Sequence, residues 1–195
     1  MKQLLLVQPG ATEYDQQGRI QGTLDVPLSE DGRQQVEQMA GELRDLRPTS
    51  LLTAPGQASR QTGELLGEVL DLKPRTLDKL KNVDQGLWQG MCIDDVKAKQ
   101  PKVFKQWLEH PETVCPPEGE TIAHAKQRVG EVLHKLIKKQ KPDTMLLLVA
   151  PEPVASVVRY VLCDRELGDL WHAPESASRW ELIDLETPKM VEVKG

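Results

Sequence analysis

Short apolar runs alternate with longer amphipathic stretches along the chain, and this alternation sets the expected order of elements. Lys2–Val7 is an apolar run closed by Gln8, Pro9 and Gly10, which predicts a buried strand. Residues 29–46 follow a helical period. Ser29 suits an N-cap, Val36, Met39, Ala40, Leu43 and Leu46 share one face, and Pro48 stops the run. Ser50–Thr53 predicts a second strand, and Gln57–Leu70 a second helix with Leu65, Leu66, Val69 and Leu70 inward. Residues 75–80, following Pro74, predict an edge strand. A loop is expected over 84–90, short helices over 92–99 and Pro101–Glu109, and a proline-rich loop over 110–119. A long helix is expected over 121–140, with Ile122, Val129, Leu133, Leu136 and Ile137 on one side. Residues 144–150 carry the strongest strand pattern, and 153–162 the helix after it. Strands over 180–185 and 189–193 close the chain, paired as a hairpin around Thr187 and Pro188.

Strands alternating with helices of this length predict a three-layer α/β fold, with a mostly parallel central sheet flanked by helices. We expect a single domain over 1–195, with a small helical and loop insertion around 84–119. In such folds ligands bind beyond the carboxyl ends of the strands. The segments after Val7, Thr53, Leu80 and Val149 are therefore where chemistry should sit.

Composition narrows the partners. The net charge of -5 disfavours nonspecific nucleic-acid binding, which needs a basic surface. The longest apolar runs fall far short of the ~18 residues of a membrane span, so no membrane partner is expected. The opening run is too short for a secretion leader, and a cytoplasmic protein is expected. Cys92, Cys115 and Cys163 lie far apart and read as free thiols, with no zinc-ligand spacing. Glu13, Asp15 and Glu152 could gather at one pocket mouth, but they read as solvated rim carboxylates. No metal and no cofactor are expected.

The segments at the strand ends carry a resemblance. Residues 4–15 run Leu-Leu-Leu-Val-Gln-Pro-Gly-Ala-Thr-Glu-Tyr-Asp, followed by Gly18-Arg19-Ile20-Gln21-Gly22 and Pro27-Leu28-Ser29-Glu30-Asp31-Gly32. This resembles the opening of the histidine phosphatase superfamily, the phosphoglycerate-mutase-like group. Thr53-Ala54-Pro55 with Gln61-Thr62, Gly86-Leu87-Trp88-Gln89-Gly90, Pro116 to Glu120, and Leu147 to Val154 resemble further landmarks of that family, in order and at matching spacing. The resemblance implies the phosphoglycerate-mutase-like fold.

It also implies where the family's chemistry would lie. There a histidine attacks phosphorus, two arginines and a second histidine hold the phosphoryl oxygens, and a carboxyl protonates the leaving group. Those roles fall on Gln8, Pro9, Ala58, Asn82 and Pro151, and none of these residues can fill its role. Proline has no nucleophilic nitrogen, alanine binds no oxyanion, and an amide is no acid.

With two arginines missing and Asp15 added, a phosphate dianion is expected to bind poorly, and a neutral or cationic ligand better. A residual ligand pocket is expected around Gly10, Thr12, Glu13, Asp15, Arg19, Gln21 and Glu152, with backbone N–H groups near Gly10 facing it. The expected function is that of a catalytically inactive member acting by binding or regulation, through a protein partner or small-molecule ligand that the sequence does not name. Two alternatives stand beside it: an enzyme with altered chemistry in the old cavity, and a structural or oligomerising domain.

Overall fold

The computed structural model describes residues 1–168, 170–171 and 179–185. Five strands form one sheet: β1 (Lys2–Val7), β2 (Ser50–Thr53), β3 (Pro74–Thr76), β4 (Thr144–Val149) and β5 (Trp180–Asp184), in the order β3-β2-β4-β1-β5. β1, β2, β3 and β4 are mutually parallel, and β5 runs antiparallel to β1 with Val7 opposite Trp180. This is the expected three-layer, mostly parallel α/β arrangement.

The continuous apolar runs follow from burial on both faces. Leu4, Leu6, Leu146 and Leu148 pack into one hydrophobic cluster; Leu5, Val7, Leu147 and Val149 pack into the other. The first cluster takes residues of α6 (Ile122–Lys139) and α7 (Val154–Cys163), and the second those of α2 (Glu30–Leu43) and α3 (Gln57–Leu70). Ser29 caps α2 by accepting the Gly32 N–H at 3.1 Å, and Thr121 caps α6 by accepting the His124 N–H at 3.2 Å.

Three local expectations are corrected. The edge strand stops at Thr76, and residues 78–80 form a 3-10 turn that drops Leu80 into the core. A short helix, α1 (Glu13–Gln16), was not expected; Thr12 and Asp15 form its capping box. Closing strand β5 is present, but it pairs with β1; the second closing strand over 189–193 lies outside the described residues.

Between β3 and α6 lie α4 (Ile93–Lys99), α5 (Pro101–Glu109) and the loop to Glu120. Trp88 and Trp107 are buried there edge to face, with ring centroids 5.9 Å apart, and Trp171 stacks on Trp107 at 5.2 Å. The Gly86 turn ties this segment down. Gly86 has φ of +50°, and a Cβ there would lie 2.0 Å from the Pro117 carbonyl oxygen. Gly86→Ala is therefore expected to destabilise the fold by about 2–4 kcal/mol, from left-handed strain plus overpacking. A urea titration monitored by tryptophan fluorescence reads this as a lower midpoint at unchanged slope.

Candidate active site

A cavity of about 350 Å³ opens at the carboxyl ends of the parallel strands. All five positions that the resemblance assigned to the family's chemistry, Gln8, Pro9, Ala58, Asn82 and Pro151, border it. So do Gly10, Thr12, Asp15, Arg19, Gln21 and Glu152. Glu13 does not: it is an exposed residue in α1, away from the lining, so the three carboxylates singled out in the sequence do not gather.

The backbone donors near Gly10 do not serve a ligand, contrary to expectation. Gly10 N–H donates to Thr62 Oγ1 at 3.1 Å, Ala11 N–H to Gln35 Oε1 at 3.0 Å, and Thr12 N–H to Asp15 Oδ2 at 2.7 Å. Side chains of α2, α3 and α1 thus consume the donors. Gly10 is required by packing, since a Cβ would lie 2.3 Å from the Gly32 carbonyl oxygen.

Gln8 and Glu152 form an internal pair instead. Gln8 Nε2 donates to Glu152 Oε1 at 2.9 Å, which also accepts from Arg159 Nη1 at 2.5 Å; Glu152 Oε2 accepts the Ser156 N–H at 2.9 Å. The Glu152 carboxylate therefore fills the N-terminus of α7, where the helix dipole favours an anion. Arg159 continues to Glu181, which also pairs with Arg165 at 2.7 Å. Burial would lower the Arg159 pKa, but Glu152 and Glu181 outweigh it and hold the guanidinium more firmly charged than usual.

Asn82 is equally spent. Its Nδ2 donates to the Gly22 carbonyl at 3.0 Å and the Glu152 carbonyl at 2.9 Å, while Oδ1 accepts the Val83 N–H at 2.9 Å. It staples two cavity loops together. Behind it lies a network that the sequence analysis missed. Buried Arg128 of α6 donates Nε and Nη2 to the two oxygens of buried Glu120 at 2.7 and 2.8 Å, Nη1 to the Lys79 carbonyl at 2.8 Å, and Nη2 to the Asn82 carbonyl at 3.2 Å. The signal was available: Arg128 sits beside Val129 on the apolar face of its helix, where an unpaired cation would not be buried.

Arg19 holds its own turn, donating Nη1 to the Gly90 carbonyl at 2.6 Å and Nε to Gln17 Oε1 at 2.8 Å. Gln21 Nε2 donates to the Leu24 carbonyl at 3.2 Å.

Two lining cations escaped the sequence analysis, Lys81 and Arg179. Arg179 precedes β5, and its carbonyl accepts the Gln8 N–H at 2.8 Å, so the antiparallel pairing delivers its side chain beside the first strand end. Its Nη1 donates to the Pro9 carbonyl at 2.9 Å. Burial lowers the Arg179 pKa, an effect partly offset by the Asp15 carboxylate. The cavity is therefore not stripped of positive charge.

Residues 4–191 match the Histidine phosphatase superfamily (branch 1). The chain belongs to this superfamily. Phosphoserine phosphatase 1 from Hydrogenobacter thermophilus is 27% identical over 194 residues, spanning 100% of this chain and 92% of its own. A structure of mycobacterial glucosyl-3-phosphoglycerate phosphatase with VO3 superposes with a TM-score of 0.83 at 25% identity, covering 93% of this chain and 92% of that one. A longer relative, a bifunctional protein from Mycobacterium tuberculosis, is 28% identical over 160 residues, spanning 82% of this chain and 44% of its own.

These likenesses overturn the expectation of a catalytically inactive superfamily member, because relatives matching nearly the whole chain are named as phosphatases. The expectation that phosphate binds poorly also changes, because Arg179 and Lys81, which the sequence reading did not place at the pocket, line it together with Arg19. Among the described residues, no helix is long and apolar enough to cross a membrane.

Proposed function

We propose that this chain is a phosphatase-like enzyme acting on a phosphate monoester in the cavity beyond β1, β2 and β4, with chemistry altered from the phosphohistidine route. The observation that carries the reading is Arg179, a half-buried guanidinium brought to the pocket by β5 and not by either family arginine position. A guanidinium in a partly dry site suits phosphate, because its planar donors match two phosphoryl oxygens at once. The names of the two full-length relatives support the same substrate class.

Pro9 and Pro151 carry no imidazole, so water is the nucleophile in this reading. Water attacks phosphorus as the bond to the ester oxygen breaks; the proton lost by water goes to a carboxylate, and the ester oxygen leaves as an alcohol by taking a proton from solvent in the open cavity. Asp15 fits that role. Its Oδ2 accepts from both the Thr12 N–H and Thr12 Oγ1, at 2.7 Å each, while Oδ1 accepts no hydrogen bond among the described residues. One oxygen is fixed and the other is free to take a proton.

The test is release of inorganic phosphate from a panel of phosphomonoesters that includes phosphoserine and glucosyl-3-phosphoglycerate. Asp15→Asn, checked for an unchanged Tm, is expected to lower the rate about 100-fold, the usual scale for a lost general base. No release above the blank from any ester of the panel would reject the reading.

A further inference from the structure

Three helices begin around the cavity, and they differ in what occupies their first turns. The α1 turn is closed by its own capping box. In α7 the Ala155 N–H goes to the Pro151 carbonyl and the Ser156 N–H to Glu152. In α3 the N-cap is Gly56, which offers no side-chain acceptor. The Gln57 N–H is taken on the outer side by exposed Asp25 at 2.7 Å. The N–H groups of Ala58 and Ser59, both cavity-lining residues, have no acceptor among the described residues. Ser59 supplies an independent sign of a ligand. It is only 2% exposed and borders the cavity, yet its hydroxyl has no hydrogen-bond partner among the described residues. Ser59 Oγ is not one of the fully enclosed unpartnered side-chain atoms, so in a nearly buried residue it is left open to an oxyanion in the cavity.

We propose that the phosphoryl group seats on the N-terminus of α3, its oxygens accepting from the N–H groups of Ala58 and Ser59 and from Ser59 Oγ, with Arg179 supplying the cation. The inference rests on the phosphate-ester reading above and assigns the groups that hold the phosphoryl end. It moves the grip from an arginine side chain at position 58 to the backbone of the same helix turn. The helix macrodipole and converging N–H groups supply there what the missing guanidinium would have supplied. Ser59 is a binding residue in this scheme, and no covalent step passes through it.

The experiment is calorimetric titration of the whole protein with inorganic phosphate, and separately with phosphoserine, which distinguishes a seat for the free anion from one that needs the ester. Binding of either supports the seat if the Ser59 variants respond. Ser59→Ala is expected to weaken binding about tenfold, the scale of one hydrogen bond to a charged group. Ser59→Asp places a carboxylate in the first turn, where the dipole favours it. It is expected to abolish binding in protein shown by circular dichroism to be folded, whereas a merely structural serine would leave the folded variant binding as the wild type does. Wild-type affinity in both Ser59 variants overturns the seat while leaving the phosphatase reading intact. Failure of the wild type to bind either ligand also overturns it, and the phosphate-release panel then decides the phosphatase reading separately.

Discussion

The combined variant Gln8→Arg, Pro9→His, Ala58→Arg, Pro151→His is expected to release phosphate from monoesters on the order of 1000-fold faster than the wild type. All four positions border one cavity at the carboxyl ends of the strands, on a backbone that superposes on a mycobacterial phosphatase with a TM-score of 0.83. The resemblance places a nucleophile at position 9 and phosphoryl-holding groups at 8, 58 and 151. Groups that act as a unit do not add singly, so single reversions are expected to show little and the set to show most of the gain. Asn82 is left in place because its two amide hydrogens join the loops at Gly22 and Glu152. The assay is phosphate release together with trapping of acid-labile phosphohistidine. A folded variant with neither signal would show that these positions do not hold the assigned roles.

Arg128→Met is expected to cost about 3–5 kcal/mol, the largest single-site effect on stability that we anticipate. The substitution leaves Glu120 a buried carboxylate with only the exposed His124 imidazole, 2.9 Å away, beside it, and frees the carbonyls of Lys79 and Asn82. Glu120→Gln tests the same network from the acid side. Burial would raise the Glu120 pKa, but the hydrogen bonds and charge of Arg128, with a further contribution from His124, hold it below the ordinary value of 4.5. A carboxylate with a depressed pKa stabilises fully above its unfolded value and loses that contribution as pH falls through the folded value. The stability gap between wild type and Glu120→Gln is thus expected to be widest near neutral pH and to close below about pH 4.5. Urea midpoints collected from pH 7 down to 3 measure it; a gap independent of pH would contradict the assignment.

Much of the fold was legible because the inner strands are buried on both faces. Leu4 to Val7 and Leu146 to Val149 read as unbroken apolar runs for that reason. The short third strand was not legible, because Leu80 is buried as firmly by a 3-10 turn as by a sheet. At the site, ordered motifs brought the five positions that the resemblance assigned, Gln8, Pro9, Ala58, Asn82 and Pro151, to one place. What they concealed depends on long-range pairing. Thr62 and Gln35 consume the donors at Gly10 and Ala11 from other elements, and Arg179 arrives from the far end of the chain through the pairing of β5 with β1. Local spacing carries no trace of either, and the expectation of a pocket poor in positive charge followed from that omission.

The antiparallel fifth strand has a consequence for how reliably the cavity is charged. Arg179, Glu181 and Ile183 alternate with Trp180 and Leu182, so they share one face. A slip of one residue against β1 would turn all three to the opposite face. Ile183 would leave the core, Leu182 would enter it, and Glu181 would lose both Arg159 and Arg165. The ion chain running back to Glu152 therefore works as a register lock. By fixing which way Glu181 points, it also fixes that a guanidinium, and not an indole, faces the place where substrate would enter.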